Sequence, residues 1–106
     1  MVLIQVVYFE GCPNWQITHR RLLTALEATG HAGVTVDLVA VGSPEAAAAA
    51  GFAGSPTVLV DGRDLFPDAA PVTELACRVY RSPQGLSGSP SPEVLVAALN
   101  DLPTAV

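Results

Sequence analysis

Residues 2–13 read VLIQVVYFEGCP, an almost continuous apolar run that ends in a Gly-Cys-Pro break. The β-branched and aromatic residues that fill positions 2–9 are typical of a strand buried on both faces of a parallel or mixed sheet. Pro13 suits the first position of a helix, where a backbone N–H donor is not needed. The segment therefore predicts a strand, a turn and a helix, with Cys12 at the N-cap of that helix.

Further strand and helix patterns follow along the chain, separated by Gly, Pro and Ser signals that mark turns and helix ends. Together with the first strand they predict an α/β domain in the order β-α-β-α-β-β-α, with a mixed four-stranded sheet. The predicted helices are 13–30, 44–51 and 92–102, with Ser43 and Ser91 as the N-caps of the second and third. The later strands are 34–41, 57–60 and 63–66, the last two joined by an Asp61-Gly62 hairpin turn.

The stretch from residue 67 to residue 91 does not follow this pattern. The apolar spacing over residues 72–80 fits a helix, although alternation over residues 75–79 fits a strand equally well, and we predict the helix. Residues 81–92 are rich in Ser, Pro and Gly, which predicts a surface loop. We therefore expect a single domain over residues 1–106 with an irregular insertion at 67–91.

The composition limits the class of partner and the compartment. Of 106 residues, 50% are hydrophobic and 14% are charged, which is enough apolar sequence for one core. The net charge of −5, with five arginines and no lysine, would repel nucleic acids and anionic membranes, so neither is expected as a partner. The N-terminal apolar run is too short to span a membrane and lacks a basic flank. We expect a cytoplasmic protein whose thiols are kept reduced.

Cys12 is the candidate nucleophile. A thiol at a helix N-terminus faces unpaired backbone N–H groups and the positive end of the helix dipole, and both favour the thiolate. The alternative is a buried, inert cysteine in a turn. Glu10 could accept a proton from the thiol or raise its pKa by repulsion. Trp15 could shield the site or contact a partner, and core packing explains it equally well.

A second signal is the segment GSPTVLVDG at residues 54–62. With the strand-cysteine-helix pattern of residues 2–30, it resembles the thioredoxin superfamily, which carries a cis-proline immediately before its third strand, against the reactive cysteine. The resemblance implies a thioredoxin-like three-layer α/β/α sandwich with a cis Ser55–Pro56 bond. It also implies that the backbone of Ser55, Pro56 and Thr57 positions the substrate.

The chain departs from this superfamily at the second cysteine. Its oxidoreductases usually carry Cys-x-x-Cys, whereas residues 12–15 read CPNW, so Trp15 occupies the resolving position and a local disulfide cannot form. Monothiol glutaredoxins also lack that cysteine, but residues 62–65 do not reproduce their glutathione-binding pair, and we expect no cofactor. Cys77 is the other candidate resolving thiol if the chain brings the two Cα atoms within about 7 Å. The alternative for Cys77 is a small apolar core residue.

Three hypotheses for the function follow. In the first, the Cys12 thiolate attacks a disulfide or another electrophilic sulfur of a protein or small thiol, and Cys77 or an external thiol resolves the intermediate. In the second, both cysteines perform soft-metal or organomercury chemistry with Glu10 or Asp68 as the acid, since the chain is similar to small thioredoxin-like chains sometimes labelled alkylmercury lyase-like. No dedicated metal-ligand motif is assigned. In the third, the fold is a non-catalytic binding domain.

Each hypothesis predicts a different site. Catalysis predicts a solvent-accessible Cys12 with a lowered pKa, and metal chemistry predicts that the sulfurs of Cys12 and Cys77 can reach one ion. A binding domain predicts an ordinary or buried thiol and an exposed apolar patch. The edge strand after residues 61–62, or the surface near Trp15, could also form a homodimer.

Overall fold

A computed structural model describes residues 3–31, 33–66, 77–83 and 85–101. These residues form three helices, a mixed four-stranded sheet and a separate two-stranded hairpin. The strands are β1 (Ile4–Tyr8), β2 (Val36–Ala40), β3 (Thr57–Val60), β4 (Arg63–Asp64), β5 (Tyr80–Ser82) and β6 (Gly85–Ser87). The helices are α1 (Asn14–Ala28), α2 (Pro44–Ala50) and α3 (Pro92–Asn100). Within the described residues, no helix combines the length and apolar character needed to cross a membrane.

The four-stranded sheet of the described chain has the strand order β2-β1-β3-β4. Strand β1 pairs parallel with β2, with Ile4 opposite Val36, and antiparallel with β3, with Ile4 opposite Val60. Strand β4 pairs antiparallel with β3. The parallel pair requires a crossover connection, which α1 provides. Strand β1 thus lies between two other strands and is buried inside the sheet, which explains why its sequence is almost continuously apolar.

Apolar residues cover both faces of the sheet. Side chains at i and i+2 of a strand share a face, so Ile4 and Val6 lie on one side and Val7 on the other. The first side packs against α1 and α3, and the second against α2 and the chain that follows it. The first buried cluster comprises Ile4, Val6, Leu22, Ala25, Leu26, Val58, Val60, Leu95 and Leu99. The second comprises Val7, Val41, Ala47, Phe52 and Leu59.

For the three described helices, the predicted N-cap residue is confirmed in two, α2 and α3. Ser43 and Ser91 cap α2 and α3, because each hydroxyl oxygen accepts a backbone N–H from the residue three positions ahead, at 3.1 and 3.2 Å. The predicted N-cap of α1 is wrong by one residue, since Pro13 and not Cys12 occupies it. The N–H of Cys12 donates to the carbonyl of Phe9 at 3.1 Å, so Cys12 belongs to the turn that ends β1.

The insertion contains more regular structure than the sequence predicted. The helix predicted over residues 72–80 falls largely outside the described residues, but at its end the prediction is wrong. There Cys77 forms a parallel β-bridge with Ser55, and β5 begins at Tyr80. The surface loop predicted at 81–92 is also wrong in part, because β5 and β6 form an antiparallel hairpin. Pairing with the backbone at Ser55 decides the conformation here, and periodicity could not detect it.

Candidate functional site

The thiols of Cys12 and Cys77 lie side by side although 65 residues separate them, and Cys77 donates a hydrogen bond to the sulfur of Cys12 at an Sγ–Sγ distance of 3.2 Å. Both are free cysteines. Cys12 is placed by the turn between β1 and α1, and Cys77 by its bridge to Ser55. The fold therefore brings together the two cysteines that the sequence singled out.

The two thiols differ in their access to solvent. Cys12 is 0% exposed, whereas Cys77 is exposed. The accessible Cys12 that a catalytic site was expected to have is therefore absent from this structure. The alternative for Cys77, a small apolar core residue, is wrong as well, because Cys77 faces solvent at the surface of the domain.

Hydrogen bonds around Cys12 favour its ionised form. Burial acts to raise the pKa of the thiol, but hydrogen bonds from the side chain of Ser55, from Cys77 and from Asn14 outweigh it, and the pKa is lowered. The carbonyl of Ser55 has the opposite influence, since the Cys12 thiol can donate to it at 3.5 Å. That contact is weak because a thiol is a poor donor, and the pKa of Cys12 is lowered on balance.

The pKa of Cys77 shifts in the opposite direction. Its hydrogen bond to Cys12, then its partial burial, then the charge of the Cys12 thiolate all raise the pKa of the Cys77 thiol. When the pair holds one proton, these two shifts favour Cys77 as the thiol and Cys12 as the thiolate.

Asn14 belongs to this site and was not identified from the sequence. Its backbone N–H and its side chain both hydrogen-bond to Cys12. The amide lies against the backbone of Gly88, where an added Cβ would come within 2.2 Å of Asn14 Nδ2. A helix N-terminus after Cys12 indicated the backbone donor, but nothing in the sequence pattern indicated that the side chain would turn toward the sulfur.

The cis Ser55–Pro56 bond implied by the superfamily resemblance is present. The hydroxyl oxygen of Ser55 accepts the N–H of Phe9 at 3.3 Å, which ties this loop to the end of β1 beside Cys12. The carbonyl of Pro56 accepts a hydrogen bond from the hydroxyl of Tyr80. Burial raises the pKa of that phenol, so Tyr80 is a neutral donor.

Thr57, the third residue expected to position substrate, is buried at the start of β3. Its Oγ1 accepts the N–H of Ala53 at 3.0 Å and donates to the carbonyl of Gly54. The polar groups of residues 55–57 thus bind other parts of the protein in this structure. A substrate would have to displace residues 77–80 to reach the carbonyls of Ser55 and Pro56.

Arg78 fastens the segment that carries Cys77. Its backbone N–H donates to the carbonyl of Ser55 at 2.9 Å, and its guanidinium, buried inside the protein, forms an ion pair with Asp64 at 2.7 Å. The same group donates to the carbonyl of Phe66 at 2.6 Å and lies 4.7 Å from the ring centre of Tyr80. Neither Arg78 nor Asp64 was expected to contribute to the site, because a pairing across the insertion leaves no local pattern in the sequence.

Gly54 allows the segment that carries Arg78 to approach the loop before β3 closely. Its φ is +102°, and a Cβ at this position would lie 2.8 Å from the Cβ of Arg78. Only a glycine accommodates both the backbone conformation and the close approach of the 77–80 segment.

Trp15 stacks on Tyr8, with ring centres 4.2 Å apart and planes inclined by 21°. Its side chain is partly exposed, at the end of β1 and the first turn of α1. The aromatic pair thus joins the two elements that flank the turn carrying Cys12, and Glu10 in that turn is exposed.

Within the described part of the chain, no group of three or more His, Cys, Asp and Glu side chains could hold a metal ion. Asp68, one of the two acids considered for organomercury chemistry, lies outside the described residues. Comparison with known proteins finds no matching family model, no matching curated protein and no matching solved structure.

Proposed function

We propose that this protein performs thiol–disulfide exchange with Cys12 and Cys77 as its redox pair. The single observation that carries the proposal is the contact between the two sulfurs, 3.2 Å apart and joined by a hydrogen bond. A disulfide requires about 2.05 Å, so a movement of about 1 Å closes the bond. Both thiols are free and therefore available in reduced form.

The ionisation of the pair supports the same chemistry. Exchange proceeds by attack of a thiolate on a disulfide sulfur, and its rate depends on the thiolate fraction and on the leaving sulfur. Cys12 has its pKa lowered and Cys77 has its pKa raised, so the reduced pair carries a thiolate near neutral pH more readily than two isolated cysteines.

The resemblance to the thioredoxin superfamily adds further support. The order strand, cysteine, helix and the cis-proline immediately before β3 both match what that superfamily uses. In its oxidoreductases the second cysteine is three residues after the first. Here Trp15 stands at that position, and the second cysteine of the proposed pair is Cys77, which bridges to Ser55 and contacts Cys12. The partners are disulfides and thiols of proteins or small molecules, and the reaction needs no further cofactor.

The test is reduction of a model protein disulfide with excess dithiothreitol as the electron donor. We expect the wild-type protein to accelerate the reduction, and Cys12→Ser and Cys77→Ser each to lose most of the acceleration, because without the second cysteine the mixed disulfide is resolved only by the slower intermolecular attack of dithiothreitol. Thr24→Ala, at an exposed position in the second half of α1, is the control and should retain the wild-type rate. Equal rates with and without wild-type protein would contradict the proposal and favour a non-catalytic binding domain.

The same two sulfurs favour a second candidate, binding of one thiophilic cation, because thiolates select soft ions. This function predicts that native mass spectrometry detects one silver ion per chain after washing with a competing thiol. Loss of that ion in both single serine variants, without any acceleration of disulfide reduction by the wild-type protein, would favour metal binding over exchange.

A further inference from the structure

We propose that Cys77 is the sulfur that forms the mixed disulfide with the substrate, and that Cys12 is the internal sulfur that resolves it. This assignment rests on the proposed exchange function and reverses the roles expected from the sequence, in which Cys12 attacked first. The observation that carries it is the difference in access within a contacting pair: Cys12 is 0% exposed and Cys77 is exposed.

Thiol–disulfide exchange requires that the substrate reach the sulfur with which it reacts. The incoming sulfur, the attacked sulfur and the leaving sulfur must come into contact, so a substrate in solvent has to reach one member of the pair directly. Around Cys12, the hydrogen-bonding groups of Asn14, Ser55 and Cys77 enclose the sulfur. A substrate sulfur cannot contact Cys12 without moving at least one of them, whereas Cys77 already faces solvent.

The strand-like segment after Cys77 keeps that thiol outward. Residues 77, 79 and 81 are exposed, and Arg78 and Tyr80 between them are buried. Alternate residues of an extended chain point to opposite sides, so fixing Arg78 and Tyr80 on the inside holds Cys77 on the outside. The ion pair of Arg78 with Asp64 and the hydrogen bond of Tyr80 to Pro56 supply that fixing.

The acidity of the two thiols agrees with these roles. In the oxidised pair, attack on Cys77 expels Cys12, whose lowered pKa makes it the better leaving group. In the reduced pair, Cys77 retains the greater intrinsic nucleophilicity, because nucleophilicity falls as the pKa falls.

Reduction of a substrate disulfide takes place in two exchange steps. The proton between the sulfurs moves to Cys12, the Cys77 thiolate attacks one substrate sulfur, and the substrate S–S bond breaks to release one thiolate, which takes up the proton from Cys12. The Cys12 thiolate then attacks Cys77 Sγ, the Cys12–Cys77 bond forms, the mixed disulfide breaks, and the second substrate thiolate leaves. Two electrons pass from the protein pair to the substrate, and the reverse sequence oxidises a substrate dithiol.

The test uses the oxidised full chain and glutathione as the attacking thiol. Rapid acid quenching traps the mixed disulfide, and digestion after arginine separates Cys12, in residues 1–20, from Cys77, in residues 64–78. We expect the glutathione adduct on residues 64–78. Its accumulation on residues 1–20 would overturn the assignment while leaving the exchange function intact.

A second measurement compares the two single variants without relying on the trapped intermediate. Reduced Cys12→Ser, which retains Cys77, should form a mixed disulfide with glutathione disulfide at least about tenfold faster than Cys77→Ser after correction for the thiolate fraction of each. Serine is close in size to cysteine, so the packing around the remaining thiol is preserved. A faster reaction of Cys77→Ser would overturn the inference. Failure of the proposed function would show differently, as an oxidised wild-type protein that never contains a Cys12–Cys77 bond.

Discussion

At the scale of single residues, the site depends on two thiols that ionise in opposite directions. The pKa of Cys12 is lowered, so its thiolate stabilises the fold; this contribution is complete above the ordinary thiol pKa of about 8.5 and is lost as the pH falls through the folded-state pKa. The pKa of Cys77 is raised, so its contribution is present below the ordinary pKa and is lost as the pH rises through the folded-state value.

The first prediction concerns these ionisations. Ultraviolet absorbance of the thiolate should show one ionisation of the reduced wild-type protein below about 8.5 and a second one above it. Cys77→Ala should raise the pKa of Cys12, because it removes one of the hydrogen bonds to the thiolate. Cys12→Ala should lower the pKa of Cys77, because the hydrogen bond and the neighbouring charge are both lost. If each variant instead keeps the pKa that its remaining cysteine has in the wild-type protein, the two sulfurs do not interact and the prediction is contradicted.

At the scale of structural elements, the site depends on how residues 77–80 attach to the loop before β3. The backbone of this segment bonds to Ser55, and the Arg78 side chain reaches Asp64 in β4. The segment is therefore anchored both to the loop before β3 and to β4, and these contacts hold Cys77 beside Cys12.

The second prediction tests the close approach at Gly54. Gly54→Ala should lower the free energy of unfolding by about 1–3 kcal/mol, because alanine is strained at positive φ and its Cβ would collide with Arg78. Denaturant unfolding measures the change. Gly42→Ala is the matched control, since its Cβ would meet no described atom within 4 Å, and it should be close to neutral. Equal effects of the two substitutions would contradict the packing described here.

The third prediction tests the ion pair. Asp64→Asn leaves the buried guanidinium of Arg78 without its counter-charge and should cost about 3–5 kcal/mol of stability. It should also slow closure of the Cys12–Cys77 disulfide in a stopped-flow oxidation assay. Asp37→Asn, on the exposed part of β2, is the control and should change neither quantity appreciably. A stable Asp64→Asn protein with wild-type closure would show that the ion pair does not position Cys77.

The features that could be predicted from the sequence are those whose signal is local. The apolar run of β1, the serine caps of α2 and α3 and the Asp61-Gly62 turn each depend on neighbouring residues, and each was predicted. The 77–80 segment was mistaken for a helix end because its conformation is set by Ser55, more than 20 residues earlier. For the same reason the ion pair of Arg78 was missed.

At the scale of the whole molecule, a Cys12–Cys77 bond would join two ends of a loop of 65 residues. Closing such a loop reduces the entropy of the unfolded chain and stabilises the folded state by about 4 kcal/mol. The sequence indicated both cysteines and the order of strands and helices outside the insertion, but the contact between the cysteines depends on the pairing of Cys77 with Ser55, which no local pattern encodes.

The fourth prediction follows from this loop. The oxidised protein should unfold at a higher denaturant concentration than the reduced protein, by an amount that corresponds to up to about 4 kcal/mol. Oxidant should have no such effect on Cys12→Ser or Cys77→Ser. An oxidised wild-type protein less stable than the reduced one would indicate that the bond distorts the fold and that the contact is not poised to close.

The most direct test of the account is a redox titration of the native protein in dithiol-disulfide buffers, with acid quenching and peptide mapping at each ratio. We predict one two-electron transition in which residues 1–20 and residues 64–78 of the same chain become linked through Cys12 and Cys77. Independent oxidation of the two cysteines, with adducts or links between chains and no linkage within the chain at any ratio, would contradict the account.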